Sequence, residues 1–164
     1  MHQYQDLIQL FNTCFEATHQ TQLVCGDDEP IYLPANANNA FHTVVFAHGF
    51  FSSALHECAH WLIAGEERRQ LIDYGYWYVP DGRTAEQQAQ FQQVEVKPQA
   101  MEWILSTAAQ FRFQFSIDNL NGEETDSEPF KLAVQQQVLI YQQHGLPARA
   151  DVFCRHLRDF YTAR

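Results

Sequence analysis

Lysine is the scarcest of the common charged residues here: only Lys97 and Lys131 occur in 164 residues. Lysine and arginine together number 10 against 20 acidic residues, a formal net charge of −10. Arg68, Arg69, Arg155 and Arg158 are scattered along the chain and form no basic stripe. That excludes a protein that grips phosphate backbones, because non-specific nucleic-acid affinity rests on lysine and arginine. It leaves room for a cationic substrate. No apolar run approaches the roughly 20 residues a membrane helix needs. The segment Met1 to Leu10 is polar and lacks the apolar stretch of a secretory signal, so the expected location is the cytoplasm. Cysteine is sparse and dispersed: Cys14, Cys25, Cys58 and Cys154 make no C-x-x-C pair. A structural zinc ribbon is therefore not expected, and the thiols read as reduced. Neither an internal repeat nor a long linker appears.

What is present is apolar and aromatic residue at spacings that suit one domain over residues 1–164. Leu7, Leu10, Phe11 and Phe15 recur at helical spacing, so Tyr4 to Ala17 reads as a helix. Thr21 to Cys25 and Pro30 to Leu33 read as short strands around Gly26-Asp27-Asp28. Thr43 to Ala47 reads as a buried strand that His48-Gly49 ends. A helix follows, with Ser52 or Ser53 as its cap and Gly65 as its close. Tyr74 to Val79 is aromatic and β-prone, and Pro80-Asp81-Gly82 turns the chain. Thr84 to Gln110 reads as mostly helical with Pro98 as an interruption or restart. Phe111 to Ile117 alternates apolar and polar, as a strand does. Asp118 to Ser127 reads as a polar loop, and helices over Pro129 to His144 and Ala148 to Tyr161 close the chain. The expected class is α+β, helix-dominated with a small sheet.

Within the helix after His48-Gly49 lies His56-Glu57-Cys58-Ala59-His60, an H-E-x-x-H motif. Residues four apart share a helix face, so both imidazoles can reach one ion. Glu57 points around the helix, where it can act on a metal-bound water or substrate proton. Leu55, Ala59, Leu62 and Ile63 supply the packing face, which suits a zincin-like arrangement. A third ligand must come from elsewhere. Glu95 and Glu102 are seven residues apart and share one helix face, flanking the apolar stripe Val94, Met101, Leu105 and Ala108. Glu95 is preferred, Glu102 is its rival, and Asp73 is weaker. His48 is a candidate neighbour of the site. Tyr76, Trp77 and Tyr78 are candidates for packing an aliphatic stem and facing a cation. Asp118 and the acidic residues after it, Glu123, Glu124, Asp126 and Glu128, are candidates for meeting substrate amines.

Two histidines and a carboxylate with open positions serve two reaction classes. Zinc would activate water for a peptidase or related hydrolase with Glu57 as base, and ferrous iron would bind dioxygen in an oxygenase. A helical H-E-x-x-H on its own leans towards zinc, since most iron sites of this kind sit on strands. Four ordered segments bear on that choice. His56 to Trp61, Asp73 to Tyr78 with Pro80-Asp81-Gly82-Arg83, Val94 to Ala100, and Asp118-Asn119-Leu120-Asn121-Gly122 resemble those of the bacterial elongation factor P hydroxylases. The resemblance spans roughly residues 40 to 160. It implies a metal-dependent protein-lysine hydroxylase that adds oxygen from dioxygen to the β-lysylated lysine of elongation factor P. It also implies ferrous iron in a two-histidine-one-carboxylate site, carried onto His56 and His60, with Glu95 the best match for the carboxylate. Nothing in the chain looks like a 2-oxoglutarate anchor.

Overall fold

The computed structural model describes residues 1–77, 79–117 and 119–164. Helix α1 spans Tyr4–His19 and buries Leu7, Phe11, Cys14 and Phe15, the stripe its spacing predicts. Gln20 ends it in a left-handed conformation, φ 48°. The chain then builds a three-stranded sheet. β1 is Thr21–Cys25, β2 is Ile31–Leu33 and β3 is His42–Phe46. The apolar β3 lies in the middle, parallel to β1 from Thr21↔His42 to Cys25↔Phe46 and antiparallel to β2 from Ile31↔Val45 to Leu33↔Thr43. Both its faces need cover, which is why it reads as a continuous apolar run.

From β3 the chain turns through His48 and Gly49, both left-handed, into helix α2, Phe51–Ile63. A Cβ at Gly49 would stand 3.2 Å from the Tyr4 ring, so the turn wants glycine for its φ and for space. The serine cap is not used: Phe50 occupies the N-cap with no side-chain bond, and Ser52 and Ser53 lie inside the first turn. Nor does Gly65 close the helix. Ala64 is the C-cap, and Arg149 caps the carbonyls, donating to Trp61 O at 2.7 Å and Ala64 O at 2.6 Å. Its guanidinium also lies 4.3 Å over the Trp61 ring. Trp61 is packed between Phe11 and Phe15, at centroid distances of 5.2 and 4.8 Å, so the residue next to His60 is anchored in the core.

Among its described residues the β-prone aromatic segment forms no strand. Arg68–Gln70 and Ile72–Gly75 form 3₁₀ turns, and Asp73, Tyr74 and Gly75 all have positive φ (47°, 60° and 74°). Asp73 accepts the Tyr32 N–H at 2.8 Å, and the Tyr74 ring stacks on Tyr32 at 4.4 Å. These contacts with the sheet hold a conformation that isolated tyrosine avoids.

Helix α3 runs unbroken over Ala85–Ala108. Thr84 and Gln87 form a reciprocal capping box, and the Glu123 carboxylate accepts the Ala85 N–H at the same end. Pro98 lies inside, so the expected interruption is absent. Its missing N–H leaves one helical bond unmade, and packing against α2 and two further helices outweighs that loss. Those helices are α4, Glu128–His144, and α5, Ala148–Thr162. They complete an α+β fold in which helices dominate.

Residues 111–117 alternate in burial as expected but belong to no strand. They form an extended strap bonded by side chains of α3. Gln99 donates to Ser116 O at 2.7 Å and accepts the Ser116 N–H at 3.1 Å, while Gln88 donates to Ile117 O at 3.1 Å. Gln88, Glu95, Gln99, Glu102 and Ser106 form a buried polar ridge along α3.

Candidate metal centre and substrate cleft

The inward face of α3 meets α2 along that ridge, and there the chain gathers its strongest ligands. His56, His60 and Glu95 bring one donor atom each to within 4.8 Å of one another. The two Nε2 atoms are 3.1 Å apart. His60 Nε2 is 3.0 Å from Glu95 Oε1, and His56 Nε2 is 3.4 Å from Glu95 Oε2. Glu95 is 1% exposed, and its Oε1 accepts no well-directed hydrogen bond despite that short approach. Donor atoms about 2.0–2.2 Å from a shared ion, at angles near 90–110°, stand about 2.8–3.6 Å apart. All three spacings fall in that interval. An orphaned buried carboxylate oxygen and two facing imidazole nitrogens fit a divalent cation.

Glu102, the rival for the ligand role, approaches the other side of His56. Its Oε2 accepts the Nδ1–H at 2.7 Å, and the side chain is buried. This bond fixes the proton on Nδ1 and turns Nε2 toward His60 and Glu95. The two carboxylates do not flank a surface stripe, as seven-residue spacing alone suggests. Both are inside, one on each nitrogen of the same ring.

Without an ion the charges settle among themselves. Burial opposes a charged His56, but Glu95 and Glu102 outweigh it and push its pKa up to about 10. Burial would raise Glu95, but His60 and His56 outweigh it and hold the carboxyl down to about 2. Glu57 is raised, chiefly by burial, against the lowering influence of both histidines. Its carboxylate has no hydrogen-bond partner among the described residues and faces an open cleft.

That cleft, of about 420 Å³, ends on Glu57, His60 and Tyr74. Its walls carry Tyr76 and Trp77, 38% and 89% exposed, and Asp28 and Glu29 stand at its rim. Tyr78 and Asp118, the other two candidates for substrate contact, lie outside the described residues. Asp73 lines the cleft too, with its Oδ1 committed to Tyr32. A second hollow, of about 520 Å³, touches His56 and Glu102 from the opposite side, with Ser52 and Ser53 on its wall.

Three of the remaining acidic candidates have other work, and Glu124 makes no hydrogen bond or ion pair among the described residues. Glu123 sits at the α3 N-terminus, Asp126 accepts the Glu128 N–H at 3.0 Å, and Glu128 pairs with Lys131. None of them lines the cleft. His48 is exposed and sits beside Phe50, away from the centre. Cys58 is fully buried on the core face of α2, and all four cysteines are free thiols. Sequence reasoning took 26–28 only as a turn and did not find Asp28 and Glu29. An acidic turn carries no sign of its target until the fold sets it beside α2.

The family model described as elongation factor P hydroxylase matches residues 10–164. The chain belongs to that family. It is also 58% identical over 161 residues to a Haemophilus influenzae protein named "Elongation factor P lysine hydroxylase", a match covering 98% of this chain and 90% of that protein. Membership in the elongation factor P hydroxylases makes this chain an enzyme, a hydroxylase.

Proposed function

We propose that this enzyme hydroxylates the β-lysylated lysine side chain of elongation factor P with dioxygen, at one ferrous ion held by His56, His60 and Glu95. The observation that carries the reading is the meeting of two imidazole nitrogens and an orphaned carboxylate, with one of the three ligands, His60, lining a cleft. The family's chemistry and the relative's named substrate, a lysine of elongation factor P, fit that cleft. Two histidines and one carboxylate leave coordination positions open, and ferrous iron in such a set supplies dioxygen binding and its reduction.

The protein's own residues do the rest. Glu102 keeps His56 in the tautomer that presents a lone pair at Nε2. Gln99 donates to Glu95 Oε2 at 3.3 Å and steadies the carboxylate. Glu57 receives or returns a proton at its carboxylate, which burial keeps closer to neutral pH than an exposed glutamate. Tyr76 and Trp77 flank the aliphatic stem. The chain's excess of carboxylates draws a cationic side chain to the cleft. No described helix is long and apolar enough to cross a membrane, in keeping with work on a translation factor in the cytoplasm.

The test is mass spectrometry of β-lysylated elongation factor P after incubation with the iron-loaded enzyme under reducing conditions. A gain of one oxygen atom in air, absent without oxygen, is expected. Cleavage of a peptide bond by a zinc-loaded protein, with no oxygen gain, would overturn the reading. His56→Ala and His60→Ala are each expected to abolish metal binding and leave the circular dichroism spectrum intact.

A further inference from the structure

We propose that the Asp28–Glu29 turn is the ammonium-binding subsite of the cleft and that it selects the doubly charged, extended side chain over a bare lysine. The inference rests on the hydroxylase reading and assigns the part of the substrate that does not react.

The turn joins β1 to β2 and lines the same cleft as Tyr76 and Trp77. Among the described residues four carboxylates line this cleft, from Asp28, Glu29, Glu57 and Asp73, and no lysine or arginine does. Their commitments differ. Asp73 is bonded to the sheet through Tyr32, and Glu57 lies at the metal end. Asp28 and Glu29 are exposed and have no hydrogen bond or ion pair among the described residues. Three acidic residues elsewhere on the surface pair with cations: Asp6 with Arg164, Asp151 with Arg155 and Glu128 with Lys131. Other exposed carboxylates, Glu66 and Glu67 among them, are unpaired among the described residues too; what sets Asp28 and Glu29 apart is that they line the cleft beside Tyr76 and Trp77.

A separate feature points to an occupant. Tyr74 lines the cleft at 5% exposure, and its hydroxyl is buried with no partner among the described residues. Its ring lies parallel to that of His60, 6.3 Å away. A buried hydroxyl without a partner is costly in a folded protein. A polar group of an occupant that reaches this hydroxyl relieves that cost.

Charge and geometry set the direction of the substrate. The carbon to be oxidised must reach the donor cluster, where an ammonium group would be repelled by a bound cation. The ammonium groups therefore stay at the other end, where carboxylates stand next to an indole. A cation between carboxylates and an aromatic face gains from both. A bare lysine ends in one ammonium group, which must choose between the rim and the metal. The β-lysyl extension carries its two ammonium groups beyond the amide, so the lysine stem can lie inward while both charges remain outside.

The experiment measures binding of fluorescently labelled elongation factor P, β-lysylated or unmodified, to the metal-free protein. It compares the wild type, the Asp28→Asn/Glu29→Gln double variant, and an equal charge change away from the cleft, Glu67→Gln/Asp159→Asn. The cleft variant is expected to weaken binding of the β-lysylated factor about 10-fold, with little change for the unmodified one. In turnover with the loaded enzyme its KM should rise by a similar factor while kcat is kept. An equal loss in the control variant would show a net-charge effect and overturn the subsite. So would wild-type KM and discrimination in the cleft variant of an active enzyme, which leaves the hydroxylase reading standing. A wild-type protein that neither binds nor hydroxylates the β-lysylated factor overturns that reading and this subsite with it.

Discussion

Glu102 touches no substrate and offers no atom to the ion, yet its replacement should be felt in metal affinity. Its Oε2 accepts the His56 Nδ1–H at 2.7 Å, and at 4% exposure no water can replace it easily. Carboxylates placed behind a ligating histidine are generally worth about 10–100-fold in affinity, or roughly 1.4–2.7 kcal/mol. Glu102→Gln keeps an acceptor and loses the charge, which puts it near the lower end, about 10-fold, since a charge-assisted bond is about twice as strong as a neutral one. Glu102→Leu removes the acceptor, orphans a buried N–H and lets the ring turn, so about 100-fold is expected. Glu95→Gln should exceed both, because it strips the charge from the donor itself. Anaerobic titration of ferrous ion or cobalt against a competing chromophoric chelator measures all three. Wild-type affinity in Glu102→Leu, or a harsher effect from Glu102→Gln than from Glu95→Gln, would show that the wrong carboxylate faces the ion.

Glu57→Gln should retain the metal and lose most turnover, read as metal content beside oxygen incorporation; loss of the ion would make Glu57 a ligand. The metal-free protein should be most resistant to heat between about pH 4.5 and 6.5. His56, raised to about 10, contributes stability that is complete below its unfolded value of about 6.5 and is lost as pH rises through its folded one. Glu95, lowered to about 2, contributes above its unfolded value of about 4.3 and loses that as pH falls. Melting curves peaking at alkaline pH would refute the assignment, and a bound divalent ion, replacing the proton, should flatten the alkaline decline. Arg149→Ala removes two charged bonds to the end of α2 and the cover on Trp61, and should cost about 2 kcal/mol, or roughly 4–8 °C in Tm.

The elements that announce themselves through their own residues were legible. The stripe of α1 and the apolar run of β3 show in the sequence almost to their ends. So does the pairing of His56 with His60, since helix geometry alone puts residues four apart on one face. What the sequence hides is whatever depends on a distant partner. Pro98 signals a break and makes none, because neighbouring helices hold both halves of α3. The alternation of 111–117 is real, but Gln88 and Gln99 supply the bonds a strand would have given. Tyr74 to Val79 has the composition of a strand, and contacts of Asp73 and Tyr74 with Tyr32 bend its start into a left-handed turn. Glu95 and Glu102 could be paired with one ion by spacing, but only the packing of α3 on α2 shows that they take opposite nitrogens of one ring.

The strap over 111–117 ties the chain's surface to its candidate metal centre through one amide. Gln99 holds Ser116 on both backbone atoms with the same side chain that steadies Glu95. Hydrogen exchange at the Ser116 amide therefore reports on an atom it never touches. When an ion draws the Glu95 carboxylate into place, Gln99 loses freedom and the strap opens less often, so deuterium uptake at 116 slows. The protein carries its own isotopic gauge of occupancy, readable without turnover and without a spectroscopically active metal.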